Sequence, residues 1–312
     1  MISVIVPVRD SCELLKRCLE SLDRQTVDRS DYEVIVVDDG SSDGSAEVAC
    51  KWGARVFRQK KKGAGAARNR GIQEAKGEVL LFLDADCEAA REWMEKLSEP
   101  IGKDGTSGTI GRFTSDQENW VARLIQIEIE GRYHRMRHYD RIDFVNTATC
   151  GFRRDLLLNN LFDESFQKLE DVELSFRLAQ KGSRLVYVPG ATVRHSHPER
   201  LYAYLKRKFR YARVSPALYR RFPEKMLADS STPLYRRWQL VLLGLTVPGL
   251  LISPFVSLIL LLGSIGFSMP LIVRAFQESI KLGVLSPFFV LTGNMAFLLG
   301  LSSGIVPPPN KK

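Results

Sequence analysis

The chain has 312 residues, of which 45% are hydrophobic and 26% charged, so it can bury a core and is neither disordered nor fibrous. A formal net charge of +9 suits phosphate-bearing partners or an anionic membrane surface. The five cysteines, Cys12, Cys18, Cys50, Cys87 and Cys150, are scattered without a CxxC, which argues against a disulfide framework or a cysteine-built zinc site and for a reducing compartment.

In chain order, the run SVIVPV over 3–8 predicts a strand that starts almost at once, with no basic leader or cleavage site, so no secretory signal is expected. Residues 11–22 predict a helix with Leu14, Leu15, Cys18, Leu19 and Leu22 on one side. A strand over 32–39, a helix over 43–53 ending at Gly53, and a strand over 54–59 follow. Residues 63–77 open a helix that closes at Gly77, and EVLLFLDAD over 78–86 is the next strand, apolar enough to be buried on both faces. Strands alternating with helices predict an α/β architecture, a mostly parallel sheet with helices on both faces. The second half is more mixed. It predicts a strand over 106–113, a helix over 119–136, and a strand running into a short helix over 144–157. A helix over 169–182 and a strand over 184–195, irregular as it nears His195, complete it.

The C-terminal part differs in kind. Residues 240–273 and 282–310 carry no charge. About 20 apolar residues cross a bilayer as a helix. One span is expected near 239–263, with Pro248 and Pro254 kinking it or making part of it re-entrant, then an interfacial piece around 274–281, then a second span near 284–306. Lys206, Arg207, Lys208, Arg210, Arg213, Arg220, Arg221, Arg236 and Arg237 precede the first span, and Lys311 and Lys312 follow the second. The positive-inside rule then places both ends of a two-helix hairpin in the cytoplasm, with the soluble part held against the inner face of the cell membrane as an integral protein.

In a parallel sheet, ligands bind at the carboxyl ends of the strands. Both acidic clusters, Asp38–Asp39 and Asp84–Asp86, fall there. Neighbouring carboxylates repel unless water or a cation separates them. Hard ions such as Mg²⁺ or Mn²⁺ take oxygen ligands and bridge a diphosphate. The bland alternative for each cluster is a helix cap or a strand–turn junction. GAGAARNRG over 63–71 has Arg68 where a dinucleotide fingerprint needs its third glycine, and it has no GK[ST], so it is not a P-loop. Arg68 and Arg70 near a helix start either sit in solvent or offer charge to a phosphate. LEDVEL puts Glu170 and Asp171 at a helix start, where they favour the helix dipole or supply a general base. His195 and His197 alternate on a strand and so share a face; two histidines are too few for zinc, but one is a candidate third ligand to an ion held by Asp86. RKFRYAR over 207–213 reads as a basic amphipathic helix on anionic headgroups or as a diphosphate contact through Arg207, Arg210 and Tyr211.

The ordered set VVDDGSSDGS, GAGAARNRG, LFLDADCE, CGFRRDLL and LEDVELSFRLAQKG resembles family 2 glycosyltransferases over roughly residues 2–213. The resemblance implies a Rossmann-like GT-A fold, a nucleotide-sugar donor, a divalent metal and inversion by single displacement. On this reading Pro7, Val8, Arg9 and Asp10 touch the nucleoside, and Asp39 with Asp38 beside it reads the base. Arg68 meets the nucleotide. Asp84, Ala85 and Asp86 form the DxD, whose aspartates Asp84 and Asp86 hold the metal with Asp86 in direct contact, and Asp171, next to Glu170, is the base. RKFRY is similar to the QxxRW segment of cellulose-synthase-like members, with Arg207 for Gln and Tyr211 for Trp. With only two spans, this implies a non-processive relative, similar to polyprenyl-phosphate sugar transferases. The expected partners are a GDP- or UDP-hexose, a lipid-linked acceptor and the membrane, and not nucleic acid. The expected domains are a catalytic one over 1–213, a basic interfacial segment over 214–238, a transmembrane hairpin over 239–306 and a tail over 307–312. Two other classes compete. A non-catalytic membrane scaffold would not need the intact DAD and ED, and a nucleotidyltransferase would need a Gly-rich loop where PVRDSCELL stands.

Overall fold

The structure, a computed structural model, describes residues 1–227 and 229–305; the tail expected over 307–312, with Lys311 and Lys312, lies outside them. The first half runs β1 (Ile2–Val8), α1 (Cys12–Leu22), β2 (Tyr32–Asp38), α2 (Ser45–Trp52), β3 (Arg55–Arg58), α3 (Ala64–Glu74), β4 (Val79–Leu83), β5 (Cys87–Ala89) and α4 (Trp93–Ser98). It continues with β6 (Thr106–Thr114), α5 (Trp120–Met136), β7 (Thr149–Arg153), α6 (Arg154–Leu158), α7 (Glu170–Gln180) and β8 (Arg184–His195). Five helices follow: α8 (Leu201–Arg221), α9 (Leu234–Gly249), α10 (Pro254–Gly266), α11 (Met269–Glu278) and α12 (Ile280–Ile305). The chain forms two compact units, Met1–Asp116 with Met136–Ser196, and Gln117–Arg135 with His197 onward. Most of α5 thus belongs with the C-terminal helices.

The first unit holds one eight-stranded sheet in the order β3-β2-β1-β4-β7-β6-β8-β5. Pairs β1–β2, β1–β4, β2–β3 and β6–β8 are parallel, and β4–β7, β6–β7 and β5–β8 are antiparallel. The sheet is therefore mixed on one side: β7 arrives after a helix and a long loop rather than by a βαβ crossover, so nothing forces it parallel. Val4, Ile5 and Val6 of β1, Ile35 to Val37 of β2 and Leu80 to Leu83 of β4 are wholly buried, which is why these strands read as unbroken apolar runs. The register pairs Val8 with Asp38 and Ile5 with Phe82, so the carboxyl ends of β2, β1 and β4 meet at one rim. Trp93 of α4 is fully buried and its indole N–H donates to Thr149 Oγ1 at 2.9 Å, tying that helix beneath β7.

In the second unit, Val121, Leu124, Ile125 and Ile127 of α5 pack with Tyr204 of α8, Leu271 and Ala275 of α11, and Leu282 and Phe289 of α12. Tyr204 stacks on Phe289 with ring centroids 4.4 Å apart. Three glycines of α12 let α8 approach: a Cβ at Gly293 would lie 2.9 Å from Tyr204 Oη, and one at Gly300 or Gly304 would collide with the carbonyl oxygen of Phe209 or Arg213. The apolar run near 239–263, expected to be kinked or partly re-entrant at its prolines, folds back on itself. The α9 helix ends at Gly249; Ser253 caps α10 by accepting from Val256 N at 3.2 Å, and Pro254 takes the first helical position. Ser257 Oγ donates to Thr246 O at 2.6 Å and Ser264 Oγ to Gln239 O at 3.1 Å, so α9 and α10 run antiparallel. By length and composition, one helix, Ile280–Gly304, is able to cross a bilayer among the described residues; α10 and α11, bent by 56° at their break, qualify only as a pair.

Candidate active site

The acidic rim of the sheet is built from three strand ends. Asp39 follows β2, and its backbone N–H donates to Val8 O at 2.9 Å, holding the two strand ends together. Both aspartates here are buried. Asp38 Oδ1 accepts from Ser41 N at 2.8 Å. Asp39 accepts from Gln59 Nε2 at 2.8 Å, Lys62 N at 2.7 Å and Gly63 N at 2.9 Å, so it shapes the loop that leads into α3. Beyond β1, Pro7 and Val8 give way to exposed Arg9 and Asp10. Asp10 sits at φ 46°, a left-handed conformation that an ordinary residue adopts only at a cost of about 1–2 kcal/mol. Its Oδ1 accepts from Ser42 N at 2.9 Å, and its own N–H donates to Ser41 Oγ at 3.0 Å. Cys12 N donates to Asp43 Oδ2 at 2.8 Å. The turn after β2 and the turn after β1 are therefore laced into one rim.

The ARNRG segment of α3 explains itself in the structure. Arg68 is buried, its side chain 4% exposed, and its Nη2 donates to Asp84 Oδ1 and its Nη1 to Glu170 Oε1, each at 2.8 Å. One guanidinium thus clamps the strand-end aspartate to the start of α7. Sequence reasoning offered this cation to the nucleotide; the fold engages it with two carboxylates. Asn69 staples the loop before α7, donating to Phe162 O at 3.0 Å and accepting from Phe162 N at 2.8 Å. At Gly71 a Cβ would collide with Cγ2 of Ile5, so only glycine lets α3 lie this close to β1. Arg70, the other candidate cation, pairs with Glu74 at 2.8 Å along the helix.

Leu169, just before α7, sits at φ 64°. This strained entry aims Glu170 into Arg68 and sets Asp171 beside it. Asp171 Oδ1 accepts from its neighbour Val172 N at 2.9 Å. Burial first, and then the charge of Glu170, push the Asp171 carboxyl up to about 7, against the pull of Arg68. Burial likewise raises Asp84, with Arg68 opposing.

Asp86 meets His195 because of register. The antiparallel pair β5–β8 sets Cys87 opposite His195, which brings the imidazole alongside the residue before Cys87. His195 Nε2 lies 3.6 Å from Asp86 Oδ2, too far for a hydrogen bond and close enough to share an ion. The ring stacks on Phe113, centroids 5.0 Å apart. Burial raises Asp86, but His195 outweighs it and holds the carboxyl below its ordinary value. Cys87 Sγ lies 3.7 Å from Asp86 Oδ1, and ligand atoms of Asp86, Cys87 and His195 fall within 4.8 Å of one another. Burial and the two aspartates keep the Cys87 thiol well above its usual value, hence protonated. The donors left, a carboxylate oxygen and an imidazole nitrogen, suit Mg²⁺ or Mn²⁺.

The second histidine does not share this face. The β8 strand ends at His195, so the alternation stops there. His197 belongs to the second unit, buried, with Nε2 2.8 Å from Gln126 Oε1. Arg207, Arg210 and Tyr211 also belong to the second unit, on α8. The fold therefore brings together Asp84, Ala85, Asp86, Arg68, Glu170, Asp171 and His195 in the first unit. Sequence reasoning missed Cys87, Phe113 and Asn69. Asn69 and Cys87 had a signal in their places beside Arg68 and Asp86; Phe113 had none, because only strand pairing puts it next to His195.

Known proteins agree with this geometry. The profile "Glycosyl transferase family 2" matches residues 3–162, and "Glycosyl transferase family group 2" matches 86–301. Glycosyltransferase AglE of Haloferax volcanii is 39% identical over 110 residues, 33% of this chain and 36% of its own length. The pre-mycofactocin glycosyltransferase of Mycobacterium tuberculosis is 30% identical over 236 residues, 72% of this chain and 48% of its own. The chain thus spans at most about half the length of these two curated relatives. Among solved structures, mannosyltransferase PcManGT of Pyrobaculum calidifontis, in complex with GDP-Man and Mn²⁺, superposes with a TM-score of 0.64 at 16% identity, covering 100% of this chain and 88% of its own. Staphylococcus aureus TarS 1–349 gives 0.51 at 17%, covering 97% and 90%. The first unit's mixed sheet is that of the GT-A fold. Sequence motifs, strand register and relatives converge on one assignment: the chain belongs to glycosyl transferase family 2.

Proposed function

We propose that the protein is an inverting, metal-dependent glycosyltransferase that moves a hexose, mannose or glucose, from a GDP- or UDP-sugar to a lipid-linked acceptor, either a polyprenyl phosphate or a lipid-linked glycan. Its catalytic domain works at the cytoplasmic face of the cell membrane, held there by the C-terminal helices. The observation that carries the reading is the Arg68 clamp, which ties the strand-end Asp84 to the helix start bearing Asp171. Asp86 and His195 would hold Mg²⁺ or Mn²⁺, which when bound neutralises charge on the departing diphosphate. Asp171 takes the proton of an acceptor hydroxyl, worth about 10²–10⁴-fold in rate. Asp38 and Asp39, with Pro7 to Asp10, cradle the nucleoside, and Arg207, Arg210 and Tyr211 serve the diphosphate or the acceptor. The ligands named with PcManGT, GDP-Man and Mn²⁺, support the choice of donor and ion.

The test is a screen of radiolabelled nucleotide sugars against a membrane lipid extract with Mn²⁺. Transfer is expected from one donor, and excess chelator or Asp86→Ala abolishes it. Undiminished transfer under either condition overturns the reading. Asp171→Asn then sorts the acceptors: a hydroxyl acceptor loses most of its turnover, whereas an already anionic lipid phosphate keeps nearly all of it.

A further inference from the structure

We propose that the second unit carries an anion site, in which the guanidinium groups of Arg135 and Arg274, backed by Lys208 and Arg236, hold the phosphate of an anionic lipid headgroup. On α5, Glu128, Gly131 and Arg135 follow at helical spacing and share a face. Glu128 accepts from Lys208 Nζ and from Arg236 Nη1, each at 2.7 Å, and from Tyr204 Oη at 3.1 Å. One carboxylate is thus shared by two cations, and it has no charge left to give. Arg135 finds only neutral acceptors: Nη1 donates to Gly131 O at 2.9 Å, Nη2 to Ser231 O, and its buried Nε has no partner. Arg274 of α11 has no carboxylate partner among the described residues. Both guanidiniums converge on the same glycine: a Cβ at Gly131 would sit 2.9 Å from Arg274 Nη1 and 3.9 Å from Arg135 Nη1.

Two like charges brought together out of full solvent, with no opposing charge, are costly unless an anion completes the site. The strain shows in Arg135 itself. Burial pushes its pKa down to about 10, and Arg236, Arg132 and Arg274 push the same way, with Tyr235 opposing. It stays charged at neutral pH. Planar guanidiniums match phosphate oxygens in paired hydrogen bonds, which selects a phosphate ester over a halide. Arg274 lies between exposed Val273 and Phe276, and exposed apolar residues continue along α12 at Val284 and Phe288. A cation set among apolar side chains in this way matches the level at which lipid headgroups meet acyl chains, which favours a lipid phosphate over the free ion. The site requires no sugar transfer and stands apart from the function proposed above.

The test uses the full chain in neutral detergent. Its thermal midpoint is read with added phosphatidic acid, phosphatidylcholine or inorganic phosphate, and native mass spectrometry counts the lipid retained by the parent chain. Phosphatidic acid is expected to raise the midpoint and stay bound where phosphatidylcholine does neither. Arg135→Gln and Arg274→Gln each weaken the response about tenfold or more. Glu128→Gln, which removes the carboxylate that neutralises Lys208 and Arg236, strengthens it. Without lipid, Arg274→Gln melts no lower than the parent, because it removes an uncompensated charge. Equal responses to both lipids overturn the site, as do unchanged affinities in both arginine variants. Inorganic phosphate acting as strongly as phosphatidic acid at equal concentration keeps the anion site and overturns the lipid source.

Discussion

Arg68 is the residue on which the candidate site turns. It bridges Asp84 and Glu170, and its side chain is almost wholly out of solvent. Removing one partner from a buried ion cluster leaves uncompensated charge. Arg68→Met is therefore expected to lower stability by about 3–5 kcal/mol, read from the denaturant midpoint, and Arg68→Lys, which reaches one carboxylate at a time, to lose less. A change within about 0.5 kcal/mol for Arg68→Met would show the clamp to be open in solution. Asp171 makes a different prediction. Its carboxyl, raised to about 7, acts as a base only when ionised. For a hydroxyl acceptor kcat/KM should rise with pH up to about 7 and then level, falling about tenfold per pH unit on the acid side. Asp171→Asn should flatten that limb; a limb that persists unchanged in the variant assigns the titration elsewhere. Neither behaviour is written in the local sequence, where LEDVEL reads equally well as a helix start with favourable charge.

At the scale of elements, two features place the chemistry. The alternating strands and helices of residues 2–83 were legible from apolar periodicity, because buried parallel strands are nearly continuous in their hydrophobicity. The acidic strand ends were legible with them. The antiparallel return of β8 past β5 was not. Cys87–Ala89 is a three-residue strand with no periodic signal, and its pairing with His195 is set by the whole course of β8. That course depends on Gly111. Here β6 shifts register against β8, and a Cβ on Gly111 would collide with Ala191 O and lie 2.5 Å from Thr149 Oγ1. Gly111→Ala is expected to cost about 1–3 kcal/mol by overpacking, seen as a lower thermal midpoint, and to weaken metal-dependent activity by moving His195. An unchanged midpoint would mean that β8 has room the structure does not give it.

At the scale of the molecule, the chain joins a sheet-based unit to a helical one whose apolar side chains are poorly covered. Phe255, Leu258, Ile259 and Leu262 of α10, and Val284, Phe288, Met295 and Leu299 of α12, are all exposed. Faces this apolar act as membrane or protein contact surfaces. The protein is expected to stay with sedimented membranes through a high-salt wash and to leave them only in detergent, since salt screens charge but does not weaken apolar burial. Release by salt alone would reduce the attachment to the basic face of α8. The sequence by itself determined the α/β alternation, the acidic rim, the family and the presence of a long uncharged C-terminal region, because each is written in local periodicity or in a contiguous motif. Tertiary structure alone decided that His195 and not His197 stands by Asp86, that Arg68 is occupied by two carboxylates, and that the first apolar run folds back at 250–253. These outcomes depend on strand register and on contacts between residues up to about a hundred positions apart, and a chain read one window at a time carries no record of which distant partner a side chain will meet.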